Sequence, residues 1–513
     1  MATKPVKKAA KKTAPKKPVS KKPVSEVSAH TPVRVRMYRT GLGDCFLITF
    51  DPDGKPAHML IDCGSLGSTT TGKKLSDAVA DIRKVTGDHL HLVVASHEHQ
   101  DHVCGFRNVN QEFLKMKVDQ VWMAWTENPE DKLAQDIAKF KGDLGQALRA
   151  AAAALTADPK DEPGMKMGLA VKSLLDFAGD ALGAAGDDGA KGLATTSDEA
   201  MTFVRTGMGA KTRYLKPGTA IEDWLPNFRF YVLGPPRSLD KIQDLGEHGS
   251  PDIYGLAAGA IFQAADPAGN PQPDESEMPF DRRFRYTEAD ERISTGLAAY
   301  FRKKDEWRRV DRDWLHSAAD FALQLDNLTN NTSLVLAIER ISDGKVLLFP
   351  ADAQEGNWLS WHDAETKFTV RDGTRKTAED LLNATVFYKV GHHGSHNATA
   401  SRKGLELMTS HDELVAFIPV DRRVALGRNP KGSWRMPAPA LYPQLLEKCQ
   451  GRVVRADLGW ADDAKNAADK VTEAELVNAA TAPKWPAWRA NQKKAEGDAK
   501  VRIEDLFIDY RLS

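Results

Sequence analysis

From Val33 onward the chain alternates apolar and polar positions in short runs, and these runs predict a β-meander. VRVRMY (33–38) reads as a half-buried strand, GLGDC as a turn, FLITF (46–50) as a second strand and HMLIDC (58–63) as a third. The spacing then changes to that of a helix in LSDAVADIRKV (75–85). It returns to a strand in HLHLVVAS (89–96), which ends in the polar run HEHQDH, and another strand follows in KVDQVWMAW (117–125). From about 127 to 211 the chain is rich in Ala, Gly, Asp and Lys. Amphipathic spacing in 136–155 and 168–182 predicts a helical insertion there.

FRFYVLGPP (228–236) reads as a strand stopped by a double proline. A second stretch without strand pattern runs from about 237 to 327 and carries one good helix, DRDWLHSAADFALQLDNL (311–328). Paired strands follow, TSLVLAIER (332–340) and KVLLFPAD (345–352), joined by a turn containing Gly344. Next come a helix (TAEDLLNA), a strand (VFYKVG), the run HHGSHN and a helix in ASRKGLELMTS. The strand LVAFIPV and a last strand near LFIDYRL close the pattern. The texture is α/β, with polar clusters at strand ends.

Composition adds limits. A chain of 513 residues has room for two to four domains or one large domain with insertions, and 41% hydrophobic residues can fill a core. Four cysteines without a CxxC pair argue against a disulfide framework and for a reducing compartment. With no run of 18 apolar residues, no membrane span is expected. The N-terminus is basic but lacks the apolar stretch of a secretory signal, so a soluble, cytoplasmic protein is expected. Lys+Arg and Asp+Glu balance at 71 each, yet residues 1–30 hold nine lysines and one acid. The rest of the chain is left with 62 basic and 70 acidic residues. That first segment is expected to be a disordered arm, reading equally as a contact for nucleic acid or another polyanion and as a passive tail. The remainder, 31–513, is expected to form one domain with two insertions.

Four clusters carry chemistry. His97, His99, Asp101 and His102 form an HxHxDH pattern after a buried strand. Positions two apart do not share a helix face, so the pattern is expected on a loop where ligands converge. His392 and His393 follow the strand VFYKV. Adjacent histidines face different sides, so at most one would ligate a given ion. Asp352 and Asp62 each end an apolar strand. Cys45, Cys63 and Cys104 lie beside these positions and read as small buried residues. Trp358 and Trp361 read as a helix packing on the core, with a pocket wall as the alternative, and Lys389 as an exposed strand residue, with added charge at the site as the alternative.

In this order the clusters resemble the metallo-β-lactamase superfamily. The flanking GLGDCFLI, NNTSLVL and KVGHHGS are most similar to the branch found in the C-terminal domain of the competence DNA-uptake protein ComEC. The resemblance implies an αββα sandwich of two mixed β-sheets flanked by helices, interrupted by the two mainly helical insertions. It implies two divalent ions, zinc foremost with manganese or iron as alternatives. His97 and His99 would hold one ion, Asp101, His102 and His393 the other, and Asp352 would bridge them. Asp62 would orient a ligand, and His392 would meet a phosphate oxygen or protonate the leaving group. Many superfamily members add a third histidine to the first ion. Here Gly234 stands at the comparable strand end, so that ion would be held more weakly or completed by water, with His248 and His316 as substitutes.

The implied activity is a metal-dependent hydrolase of phosphodiesters in nucleic acid or nucleotides. Other esters, thioesters, persulfide oxidation by a single iron, and a scaffold or sensor that has lost catalysis are the competing readings. Metal analysis combined with a phosphodiester assay discriminates among them.

Overall fold

The computed structural model describes residues 30–51, 53–66, 72, 74–157, 159–160, 162–175, 196–242, 318–428, 434–462 and 481–513. Most of the arm read at 1–30, much of the second insertion, and both His248 and His316 therefore lie outside the described residues. Thr31–Ser513 form one compact unit.

The strands are β1 (Val33–Tyr38), β2 (Cys45–Phe50), β3 (Ala57–Cys63), β4 (His89–Ala95), β5 (Lys117–Ala124), β6 (Lys211–Leu215), β7 (Ala220–Ile221), β8 (Phe228–Gly234), β9 (Val335–Arg340), β10 (Val346–Phe349), β11 (Phe368–Thr369), β12 (Arg375–Lys376), β13 (Thr385–Lys389), β14 (Val415–Ile418), β15 (Val453–Arg455), β16 (Gly459–Trp460), β17 (Val501–Ile503) and β18 (Phe507–Leu512). Sixteen of them build two eight-stranded mixed sheets, in the orders β17-β18-β1-β2-β3-β4-β5-β6 and β16-β15-β14-β13-β10-β9-β8-β7. In the first sheet, pairing is antiparallel up to β2–β3 and parallel from β3–β4 onward. In the second, β7 to β10 pair antiparallel and β10, β13, β14 and β15 pair parallel.

The two sheets share one core. Val35, Phe46, Ile48, Met59, Leu92 and Trp122 of the first sheet pack with Phe230, Leu336, Leu347, Phe387 and Phe417 of the second. Every second residue of these strands is apolar, so each strand buries one face there. The outer faces are covered by helices: Leu75–Thr86 and Gln100–Asn108 on the first sheet, and Glu355–Ser360, Ala378–Asn383 and Tyr442–Lys448 on the second. The result is an α/β architecture of two large mixed sheets flanked by helices, compatible with an αββα sandwich. Trp358 and Trp361 pack with ring centroids 3.9 Å apart and planes tilted by 32° in the outer core of the second sheet, as their i, i+3 spacing suggested.

The described parts of the two insertions are not separate additions. Helices Lys132–Leu155 and Glu162–Leu175 of the first pack against Ala318–Asn331, which closes the second. Leu144, Leu148, Val171, Phe321 and Leu325 form a small core of their own. One expected helix is absent: ASRKGLELMTS is a series of turns with a single short 3-10 segment, Leu405–Leu407. Gly404 adopts φ −145°, ψ −97°, far from helical values, and its backbone lies against the Trp358 ring. Tertiary packing overrides the local helical spacing there.

Candidate metal centre

The sites converge where the parallel strands end, the usual place for chemistry in such sheets. Asp62 ends β3, HEHQDH follows β4, Asp352 follows β10 and the histidine pair follows β13. The HxHxDH run is only partly a loop. His97 and His99 precede the helix Gln100–Asn108, with His99 at its N-cap, while Asp101 and His102 sit in its first turn. The expectation of a pure loop is thus corrected: a helix start brings positions 101 and 102 round toward β13. Two close backbone approaches make room for it. A Cβ on Gly64 would lie 2.1 Å from the Asp101 carbonyl, and one on Gly43 2.6 Å from the same oxygen.

The ring nitrogens divide cleanly into inward and outward sets. His102 Nδ1–H donates to Asp62 Oδ2 (2.8 Å), which turns His102 Nε2 toward Asp352 Oδ2 at 3.1 Å. His393 Nδ1–H donates to the Pro419 carbonyl (2.8 Å), which turns His393 Nε2 toward Asp101 Oδ2 at 2.9 Å. Ser96 Oγ lies 3.1 Å from His97 Nδ1, leaving His97 Nε2 to meet His99 Nδ1 at 3.1 Å. Asp62 itself is pinned by the Ser96 backbone N–H (2.8 Å) and hydroxyl (2.6 Å). The two histidines of HHGS both have positive φ, 42° and 52°, a conformation that splays their rings 70° apart. His393 points at Asp101, and His392 Nε2 lies 3.9 Å from Asp352 Oδ2.

Once deprotonated, the inward nitrogens of His102 and His393 face carboxylate oxygens as acceptor to acceptor, an arrangement that a cation between them satisfies. Asp101 Oδ1, His102 Nε2 and Asp352 Oδ2 are buried without a hydrogen-bond partner among the described residues. Such orphaned atoms are expensive unless an ion satisfies them. A set of neutral imidazoles and carboxylates with fixed outward hydrogen bonds suits a borderline divalent metal, so the donor chemistry fits the group. Burial pushes His97 well down and His99 to about 4, so both are neutral at pH 7 and have lone pairs to offer. Burial opposes charge on His102 too, but Asp352 and Asp44 overcome it and raise it well above the usual range. Burial would raise Asp352, yet His102 and Lys389 hold it well below.

Of two further residues of this cluster, Asp44 reads as a turn residue in the sequence, and the exposed reading of Lys389 is favoured there over added charge at the site. Lys389 is not an exposed strand residue. It is 1% exposed and binds Asp44 (2.6 Å), Asp352 Oδ1 (3.2 Å) and the Ala351 carbonyl (2.8 Å). Its place in the middle of an apolar strand was the signal. Asp44, within GLGDC, belongs to a buried cluster able to hold a metal, together with His102, Asp352 and His393. It approaches the imidazoles from behind, 3.7 Å from Nδ1 of both His102 and His393. Those nitrogens already serve Asp62 and Pro419, so Asp44 acts as a counter-charge rather than sharing an ion with the Nε2 atoms.

Gly234 has no room for a substitute side chain, because a Cβ there would lie 2.0 Å from Asn357 Oδ1. Cys45, Cys63, Cys104 and Cys449 are buried and free. A second group, His89, His91 and Asp119, lies at the opposite end of β4 and β5. There His91 Nδ1 accepts the His58 backbone N–H (3.1 Å), which puts the proton on Nε2, and Lys117 already holds Asp119 (2.6 Å). It is a hydrogen-bonded surface cluster. Among the described residues no helix is long and apolar enough to cross a membrane. No family model matches the chain, and no curated protein matches it.

Proposed function

We propose that the protein is a metal-dependent hydrolase of the metallo-β-lactamase superfamily, ComEC-like, acting on phosphodiester bonds. The observation that carries this reading is the convergence of six ligand-type side chains on orphaned, buried polar atoms at the ends of β4, β10 and β13. His97 and His99 would hold one ion, Asp101, His102 and His393 the second, with Asp352 shared. Two divalent ions supply Lewis acidity toward a phosphoryl oxygen and acidify water at neutral pH.

The chain's own residues do the rest. Asp62 fixes the His102 tautomer, and Pro419 fixes that of His393. Lys389 keeps Asp352 ionised. The His392 backbone N–H donates to Asp352 Oδ1 (3.1 Å), which anchors the turn carrying its ring. Gln354 Nε2 donates to His392 Nδ1 at 3.5 Å, so Nε2 bears the proton and can donate a hydrogen bond to a substrate oxygen. Burial pushes His392 down to about 4 in the metal-free protein, which favours that neutral, hydrogen-bonding role over proton delivery.

The test is elemental analysis with turnover of an activated phosphodiester, on wild type and Asp352→Asn. Wild type should hold at least one equivalent of Zn, Mn, Fe, Co or Ni and turn over. Asp352→Asn should fold, by circular dichroism, and lose at least about 100-fold in rate, since an amide cannot neutralise two cations. Less than about 0.3 equivalents of metal in wild type, with none regained on dialysis, would refute the reading.

A further inference from the structure

Among the described residues the first metal position has no third histidine, and Gly234 is sterically closed, so the described support for this half of the centre comes from elsewhere. His99 meets His97 through Nδ1, which makes Nε2 its outward nitrogen. That nitrogen faces Asp326 Oδ1 at 3.7 Å. Asp326 lies on the helix Ala318–Asn331, inside the second insertion, and its side chain is 13% exposed. Its other oxygen, Oδ2, accepts from Asn330 Nδ2 one turn later (3.2 Å), which leaves Oδ1 for the histidine.

The helix is held on both flanks. Phe321, Ala322 and Leu325 seat it in the insertion core. At its end, Asn331 Oδ1 accepts the backbone N–H groups of Gln354 (3.2 Å) and Asn357 (3.3 Å), directly after Asp352. Asp326 is therefore positioned by the same segment that shapes the Asp352 loop. Its carboxyl is also in the electrostatic field of Asp101 and Asp352.

We infer that Asp326 is a positioning residue for the first metal: its carboxylate faces His99 Nε2 at ion-pair range and so orients the ring to aim His99 Nδ1 at the ion, replacing in function the support that a third histidine would give. The second insertion is then part of the metal centre and not an appendage. This rests on the metal-centre reading above. Carboxylate partners of ligating histidines fix the tautomer and ring orientation, and their loss costs ~10–100-fold in metal affinity.

The experiment measures zinc and cobalt binding to apo-protein by chelator competition, together with the Co(II) visible spectrum, for wild type, Asp326→Ala and Asp326→Glu, with thermal melts as folding controls. Wild type should take two equivalents. Asp326→Ala should bind the weaker equivalent ~10–100-fold less tightly and lose part of the Co(II) absorption, with the tighter equivalent unchanged. Asp326→Glu retains the carboxylate across a 3.7 Å gap and should restore both readouts. Asp326→Ala binding both equivalents within about threefold of wild type would overturn this inference and leave the metal centre standing. Wild type that binds no metal would overturn both.

Discussion

Gly64→Ala tests whether the fold and the metal centre are the same object. The Cβ it adds would lie 2.1 Å from the Asp101 carbonyl carbon and oxygen and 2.2 Å from the His102 nitrogen, all backbone atoms that no rotamer change can move. Ordinary contact begins at 3.4 Å, so the start of helix Gln100–Asn108 must retreat by 3.4 − 2.1, about 1.3 Å. The Asp101 carbonyl accepts the Asp44 backbone N–H at 2.8 Å, and the Asp101 carboxylate sits 2.9 Å from His393. A shift of that size breaks both. Overpacking costs ~1–3 kcal/mol and a buried hydrogen bond ~1 kcal/mol, so a loss of about 2–4 kcal/mol is expected.

Metal affinity should fall by at least about tenfold, because Asp101 and His102 both move away from Asp352 and His393. Gly142→Ala is the control. That glycine lies inside the helix Lys132–Leu155 with nothing within 4 Å of an added Cβ, so it should be stabilised by ~0.5–1 kcal/mol. Urea melts followed by tryptophan fluorescence and chelator competition read the two quantities. Gly64→Ala as stable as wild type, with unchanged metal affinity, would refute the steric argument.

Lys389→Met leaves Asp44 and Asp352 buried without their shared cation and should cost ~3–5 kcal/mol, read by urea melts. Metal loading should recover part of this, and a loss below about 1 kcal/mol would contradict the ion-pair account. Metal uptake should release protons. Asp352 and Asp44 raise His102 well above the usual range against its burial, and Asp352 and Asp101 raise His393, so a proton held on Nε2 must leave before either can ligate. Affinity therefore falls as pH falls, and calorimetry in buffers of different ionisation enthalpy should find at least about one proton released. Deleting residues 1–30 should weaken binding to a polyanion and flatten its salt dependence, since each lysine–phosphate contact releases counterions, and leave turnover of a small phosphodiester unchanged. Unaltered polyanion binding would make the arm a passive tail.

Local pattern carried much of this protein. The alternation in β1 to β5 and β8 to β10, and the acids and histidines at their ends, were legible because strand periodicity and strand-end placement are properties of neighbouring residues. HEHQDH and HHGSH were legible for the same reason. Spacing alone left undecided which histidine of the second pair meets Asp101, 292 positions away, and the family resemblance pointed to His393; the positive φ values of the turn and the register of β13 against β10 and β14 place it there. Asp44 passed for a turn residue and Lys389 for an exposed strand residue. Lys389 is matched by Asp44 and Asp352, and Asp44 by Lys389 and the His102 and His393 imidazoles, which the folding of two sheets brings together. Asp326 looked like one acid among several on an amphipathic helix. Its approach to His99 exists because two insertions, far apart in sequence, bury their apolar faces against each other and dock one helix end beside Asp352. Side-chain type and local spacing are written along the chain. Which charges end up facing each other in a dry interior is set by long-range packing, and there the cost of an unpaired charge is highest.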